Sequence, residues 1–248
     1  MISQNQNKLI RSLHQKKFRE QHSLFIIEGV RSIKEAINTN AQFEIGISTE
    51  SFSEKNSDLI RAINPEIVSE EDIKRLSPSV TPSGVLAVYK IPQFNKPNLD
   101  QNFIYLDHVA DPGNMGTILR TATWFGINQI ILSEGCTDPF NPKVVRSAMG
   151  AHFHLSWIGH LDLNTLNNHL IIGADSRGST IDTFNSFSEK WCLVMGSEAH
   201  GISGNIISVL DKTVAIPMHG IGESLNIGVA MGVFLHHLTK QPVVSQCQ

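Results

Sequence analysis

From residue 103 onward, apolar runs too short for helices alternate with segments of helical periodicity, and this alternation limits the fold more than any other feature of the chain. The runs at 103–106, 129–132, 170–174, 191–195 and 214–217 read as strands, and 114–125, 143–149 and 224–238 as helices. Apolar strands separated by helices imply a mostly parallel sheet with helices on both faces. In such sheets ligands bind beyond the carboxyl ends of the strands. The loops 107–114, 196–204 and 217–226 are therefore the places to look, and each is rich in Gly, Asn, Ser and acidic residues.

The first ninety residues read as a smaller α/β unit in the order β-α-β-α-α-β. LFIIEG (24–29) and GVLAVYKI (84–91) are strands, and Val30, Ile33, Ala36 and Ile37 keep the spacing of an amphipathic helix. A second strand at 45–48 and a helix at 57–63 lie between them, and SEEDIKRLS (69–77) opens with the Ser-x-x-Asp pattern that caps a helix. PQFNKPNLDQ, with two prolines and no apolar period, is a linker. The expected division is a small domain over 1–92, a linker over 93–101 and a larger domain over 102–248.

With 248 residues, 41% of them hydrophobic and 17% charged, the chain has the composition of an ordinary globular protein. It contains neither an apolar run of bilayer length nor a signal-peptide core, so a cytoplasmic location without membrane partners is expected. Cys136, Cys192 and Cys247 show no CxxC or zinc spacing, so reduced thiols and no metal site are expected, the first two thiols in or near the core. A net charge of −3 argues against a nucleic-acid binder. The first twenty residues, however, hold Lys8, Arg11, Lys16, Lys17 and Arg19 against Glu20 alone, which makes either a solvated helix face or an RNA-contacting arm.

Three segments concentrate chemistry. In DHVADPGNMGTILRTATWFG (107–126), Asn114 is placed to cap a helix whose core face is Met115, Ile118, Leu119, Ala122 and Phe125. Arg120, six positions on at about 100° per residue, does not share the Asn114 face. It is either a partly buried charge with a partner or a side chain directed along an edge into the cleft. In LVMGSEAHGIS (193–203), a strand ends at Gly196, which allows close backbone approach, and then presents Glu198. In VAIPMHGIGESLNIGVAMGVFLHH (214–237), Ser224 reads as the cap of an apolar helix in which Gly228, Ala230 and Gly232 allow close packing. GxGxxG with a downstream acid, GxxxxGK[ST], GxSxG and HExxH are all absent, which excludes the usual dinucleotide, P-loop, hydrolase and zincin sites.

The three segments together, N-x-G-x-x-x-R, MGSE-x-x-G and IPM followed by SLN, resemble the signature motifs of the SpoU family of RNA ribose 2′-O-methyltransferases over about 103–239. FIIEG and TPSGVLAVYK resemble the substrate-binding domain that precedes the catalytic domain in many members. The resemblance implies a catalytic domain whose C-terminal segment threads a preceding loop as a deep trefoil knot, one of the rare exceptions to unknotted topology. It implies S-adenosylmethionine as cofactor, held mostly through backbone groups at Gly196, Ile216, Met218 and Leu225, with no acidic residue assigned to its ribose. It implies catalytic roles for Arg120, Asn114, Glu198, Ser224 and Asn226, a homodimer, and a structured RNA substrate, ribosomal rather than transfer RNA. Arg120, protonated at any ordinary pH, is expected to bind phosphate and stabilise a developing alkoxide rather than act as a base. The rival readings are an RNA-binding module or assembly factor that has kept the fold and lost turnover, and a base methyltransferase on the same fold.

Overall fold

A computed structural model describes residues 2–184, 190–222 and 224–240; Glu223 and Cys247 lie outside them. Along the chain run α1 (Gln4–Ser12), α2 (Lys16–His22), β1 (Leu24–Glu28), α3 (Val30–Asn38), β2 (Phe43–Thr49), α4 (Glu50–Lys55), α5 (Ser57–Ile63), β3 (Glu66–Val68), α6 (Glu70–Leu76) and β4 (Val85–Lys90). There follow β5 (Phe103–Leu106), α7 (Pro112–Trp124), β6 (Gln129–Leu132), α8 (Pro142–Ala148), β7 (Ser156–Gly159), β8 (His169–Thr180), β9 (Lys190–Met195), α9 (Gly204–Ile207), β10 (Lys212–Ala215) and α10 (Ile227–Leu238). They form two compact units, Met1–Gln93 with Asp138–His154, and Phe94–Thr137 with Leu155–Gln248. Among the described residues no helix is long and apolar enough to cross a membrane.

The first unit is built on a sheet of order β1-β4-β2-β3, in which β4 runs antiparallel to both neighbours and β3 parallel to β2. Successive side chains of a strand point to opposite faces. Leu24 and Ile26 of β1, with Leu86 and Val88 of β4, pack with Ile10, Leu13, Ile73 and Leu76. Phe25 and Tyr89 belong to the other face, which the segment 138–154 covers: the Phe25 ring lies 5.1 Å from Phe140, and Tyr89 lies 5.5 Å from Phe153. Burial on both sides is the reason LFIIE shows no alternation. Arg19 is only 2% exposed. It donates to the Leu13 carbonyl at 2.8 Å and, through Nε, to Asp138 at 3.0 Å. Lys8, Arg11, Lys16 and Lys17 are exposed, so Arg19 has to be removed from the basic arm. A guanidinium buried this deeply persists only because it is paired and hydrogen-bonded.

The second unit holds a six-stranded, all-parallel sheet of order β10-β8-β9-β5-β6-β7. Phe103, Tyr105, Cys192 and Val194 pack on one face with Leu163, Leu166, Ile202 and Ile206, while their alternates Ile104, Leu106, Leu193 and Met195 are also buried. Both faces are therefore covered, as parallel sheets require. α7 and α10 pack together closely: a Cβ on Gly228 would sit 2.8 Å from Thr117 Cγ2. From the adjacent strands β5 and β9 the chain leaves toward opposite edges of the sheet, which creates a switch point where a crevice opens. β8 runs on to Thr180, and its register with β10 jumps from Thr213↔Gly173 to Val214↔Ser179, so residues 174–178 bulge out of the ladder.

Candidate active site

Asp107 follows β5 and is 1% exposed. Its backbone N–H donates to Met195 O at 2.8 Å, continuing the β5–β9 contact beyond the ladder. Its carboxylate accepts from the Ser203 N–H at 2.7 Å and lies 2.7 Å from His108 Nδ1. Burial raises this carboxyl's pKa, but the bonds from Ser203 and the contact with His108 outweigh that effect and hold it below the usual range. Asp107 thus clamps the loop that follows β9 onto the end of β5. The sequence reading assigned it no role, although its place immediately after an apolar strand was the available signal.

The clamped loop is tight. Ser197 and Gly201 exchange backbone hydrogen bonds of 2.9 and 2.8 Å, and Gly201 has φ +70°. A Cβ on Gly196 would lie 2.2 Å from Gly201 C and 2.3 Å from Ile202 N. Gly196 is therefore required by the turn itself. The turn carries Glu198 to Asn114, whose Nδ2 donates to Glu198 Oε1.

Two expected caps are corrected. The N-cap of α7 is Asp111, which accepts from Asn114 N at 2.8 Å with Pro112 at the first helical position, so Asn114 lies inside the first turn. Aspartate before proline is a stronger start signal than asparagine three residues after that aspartate. The N-cap of α10 is Asn226, not Ser224, and its Oδ1 accepts from Gly228 N at 3.0 Å. Asn226 Nδ2 in turn donates to Asn114 Oδ1 at 2.9 Å. The structure thus brings Glu198, Asn114 and Asn226 into one hydrogen-bonded row. Arg120 is exposed rather than partly buried, further along α7.

Beside this row a cleft of about 600 Å³ opens at the carboxyl ends of β9 and β10 and the bulge of β8. Gly196, Ile216, Met218 and Leu225 all line it, together with Glu198 and Ser224; Arg120 is not among the lining residues. Asp175 and His200, to which the sequence reading gave no role, also line it, as does Arg177. The volume suits a nucleoside-sized ligand. Apolar Met195, Val214, Ile216 and Leu225 provide surface for a flat ring, and the carboxylate of Glu198 suits a ligand with a positive centre. Among the described residues no cluster of His, Cys, Asp or Glu could hold a metal ion.

Residues 101–236 match the model of the SpoU rRNA Methylase family. The chain belongs to this family. Residues 4–87 match an MRM3-like substrate binding domain. A 23S rRNA (guanosine(2553)-2′-O)-methyltransferase of Bacillus subtilis is 30% identical, with 92% of this chain and 93% of the relative covered. An uncharacterised tRNA/rRNA methyltransferase of Synechocystis is 32% identical over 97% of this chain and 93% of its own. Among solved structures, a TrmH-family protein from Porphyromonas gingivalis superposes with a TM-score of 0.83 at 31% identity, covering 96% of this chain and 98% of the other. An rRNA methyltransferase from Sinorhizobium meliloti, bound to S-adenosylmethionine, superposes with a TM-score of 0.81 at 26% identity over 96% of both chains. As a SpoU methylase, this protein is an RNA methyltransferase with S-adenosylmethionine as its cofactor, and the shape and donor set of the cleft fit that molecule.

Proposed function

We propose that the protein transfers a methyl group to a ribose 2′-hydroxyl of ribosomal RNA, in the cytoplasm and as a homodimer. The observation that carries the reading is the Glu198–Asn114–Asn226 row at the mouth of the cleft, which joins three segments far apart in sequence. S-adenosylmethionine supplies the electrophilic methyl when bound. Gly196, Ile216, Met218 and Leu225 would hold it, the glycine by letting backbone approach and the others by apolar contact. The Asn114 amide is fixed at both ends, its Nδ2 by Glu198 and its Oδ1 by Asn226, so it presents a preset orientation to an incoming ribose. Ser224 supplies a hydroxyl on the cleft lining. Arg120, an exposed guanidinium, meets the RNA phosphate and stabilises negative charge developing on the attacking oxygen. A knotted path of the chain through this region belongs to the same reading, supported by the family match over residues 101–236.

The ribosomal preference rests on the B. subtilis relative, whose name specifies 23S rRNA, and on the N-terminal substrate-binding domain. The homodimer rests on an apolar surface over the packed pair α7 and α10: Trp124 is 84% exposed, with Val229 and Val233 also exposed. Replacing Val233 with Glu is expected to leave a folded monomer in sedimentation. The RNA contacts of this reading include Lys143, Arg146 and Arg177 in addition to the basic arm.

The deciding experiment is calorimetric titration of the purified protein with S-adenosylmethionine, with Leu225→Arg as the blocked control, followed by mapping of 2′-O-methyl marks in rRNA from a deletion strain. Binding lost in the control and one mark missing from rRNA is the expected result. Binding with a complete set of rRNA marks would redirect the search to tRNA. Absence of binding would leave an RNA-binding protein without turnover.

A further inference from the structure

We infer that Asp175 is a side-chain receptor for a ribose hydroxyl of the cofactor, within a pocket that sequence resemblance alone describes as held by backbone. The inference rests on the S-adenosylmethionine reading of the cleft.

Ala174 pairs with Met195 at the last rung of β8 and β9, so Asp175 is the next residue past the ladder, at the same level as Gly196. It stands where the register of β8 against β10 breaks, and it lines the cleft. The bulge is fixed by its neighbour in sequence: Gly178 passes so close to the Thr213 backbone that no side chain could be added there. This is the position relative to a parallel sheet from which an acidic side chain commonly reaches a nucleotide ribose.

The carboxylate is held by Arg177. Oδ1 accepts from the Arg177 backbone N–H and from Nε, each at 2.9 Å, and Oδ2 accepts from Nη2 at 2.6 Å. The Asp175 side chain is 11% exposed and that of Arg177 78%, so the acid lies in the cleft and the base on its rim. The hydrogen bonds from Arg177 keep this carboxyl's pKa below the usual range, so it is ionised whenever the cofactor binds.

A carboxylate offers about four acceptor positions, and three are used. The remaining one is on Oδ2. Because the guanidinium already balances the charge, a neutral donor matches this position better than a second cation does, so a hydroxyl is favoured over the ammonium of the amino-acid tail. The orientation of the acceptor is set before binding, which lowers the cost of using it. This arrangement also gives Arg177 a duty other than contact with RNA phosphate.

The test is calorimetric binding of S-adenosylhomocysteine and its 2′-deoxy and 3′-deoxy analogues to the full-length protein, wild type, Asp175→Asn and Asp175→Ala. Thermal unfolding serves as the check on fold. The wild type is expected to lose roughly tenfold to a hundredfold in affinity for one of the two deoxy analogues, the value of a hydrogen bond to a charged acceptor. In Asp175→Ala that discrimination should fall to about onefold, with Asp175→Asn in between. Equal affinities of the wild type for all three ligands, or discrimination that survives in Asp175→Ala, would overturn the subsite while leaving the cofactor assignment standing. A folded wild type that binds none of the three would remove both.

Discussion

Asn226 uses the two ends of its amide for different tasks: Oδ1 caps α10 through Gly228 N, and Nδ2 holds Asn114 Oδ1 at 2.9 Å. Stability and chemistry are thus tied to one side chain, and substitution can separate them.

Asn226→Asp keeps a good helix cap and removes the donor to Asn114. Its melting temperature should stay close to wild type while turnover falls by about tenfold or more. Asn226→Ala removes both functions and should also lose about 1 kcal/mol of stability. Thermal unfolding beside a methyl-transfer assay separates the two effects. A fully active Asn226→Asp enzyme would show that the orientation of Asn114 does not matter.

Gly196→Ala brings a methyl group against the backbone of Gly201 and Ile202. The 197–201 turn must open, displacing Glu198 from Asn114. A stability loss of about 1–3 kcal/mol, as for overpacking, is expected together with weakened cofactor binding. Calorimetry and denaturant unfolding read the two effects, and unchanged binding would contradict the account of the turn.

His152 is buried in the first unit, with Nε2 donating to Pro139 O at 2.6 Å, and burial pushes its pKa down to about 4. In the unfolded chain the same group titrates near 6.5. Between those values the unfolded state binds the extra proton, so stability falls as pH drops from about 6.5 to about 4 and this contribution then levels off. The full effect is on the order of 3 kcal/mol at most. Urea unfolding of wild type and His152→Gln across that window should show a steeper decline in the wild type.

Arg19→Gln strands the Asp138 carboxylate, whose side chain is 13% exposed, and should destabilise the protein by about 3–5 kcal/mol, the cost of breaking a buried pair. Exposed Lys16 and Lys17 behave differently: their replacement by Glu should leave the melting temperature near wild type and flatten the salt dependence of RNA binding. If Arg19→Gln flattened the slope as much as the lysine changes did, Arg19 would belong to the RNA-contacting surface after all.

The parts of this molecule that could be read in sequence are those fixed by local composition. The solid apolar runs 103–106 and 191–195 can only be strands buried on both sides, and Met115, Ile118, Leu119 and Ala122 mark the inner face of α7 as expected. Gly196 and Glu198 stood out because a strand ending in glycine followed by a charged side chain is informative in itself. What escaped depends on distant partners. Ser224 and Asn226 are equivalent caps by propensity, and the choice falls to Asn226 in a structure where its amide also reaches Asn114, 112 positions away in sequence. Arg19 looks solvated until Asp138, 119 positions on, is placed beside it. Asp175 lay in a polar stretch, DSRGST, whose strand character comes from β10 rather than from its own side chains.

The wall that covers Phe25 and Tyr89 is contributed by 138–154, far downstream of the strands it completes. Translation therefore delivers the first unit in two instalments, with about 60 residues between Gln93 and His154. At roughly 5–20 residues per second, the ribosome holds those aromatic rings uncovered for roughly 3 to 12 s. A fragment cut at residue 93 would stay in that condition permanently, so a substrate-binding module isolated by sequence boundaries alone should need chaperone protection or aggregate.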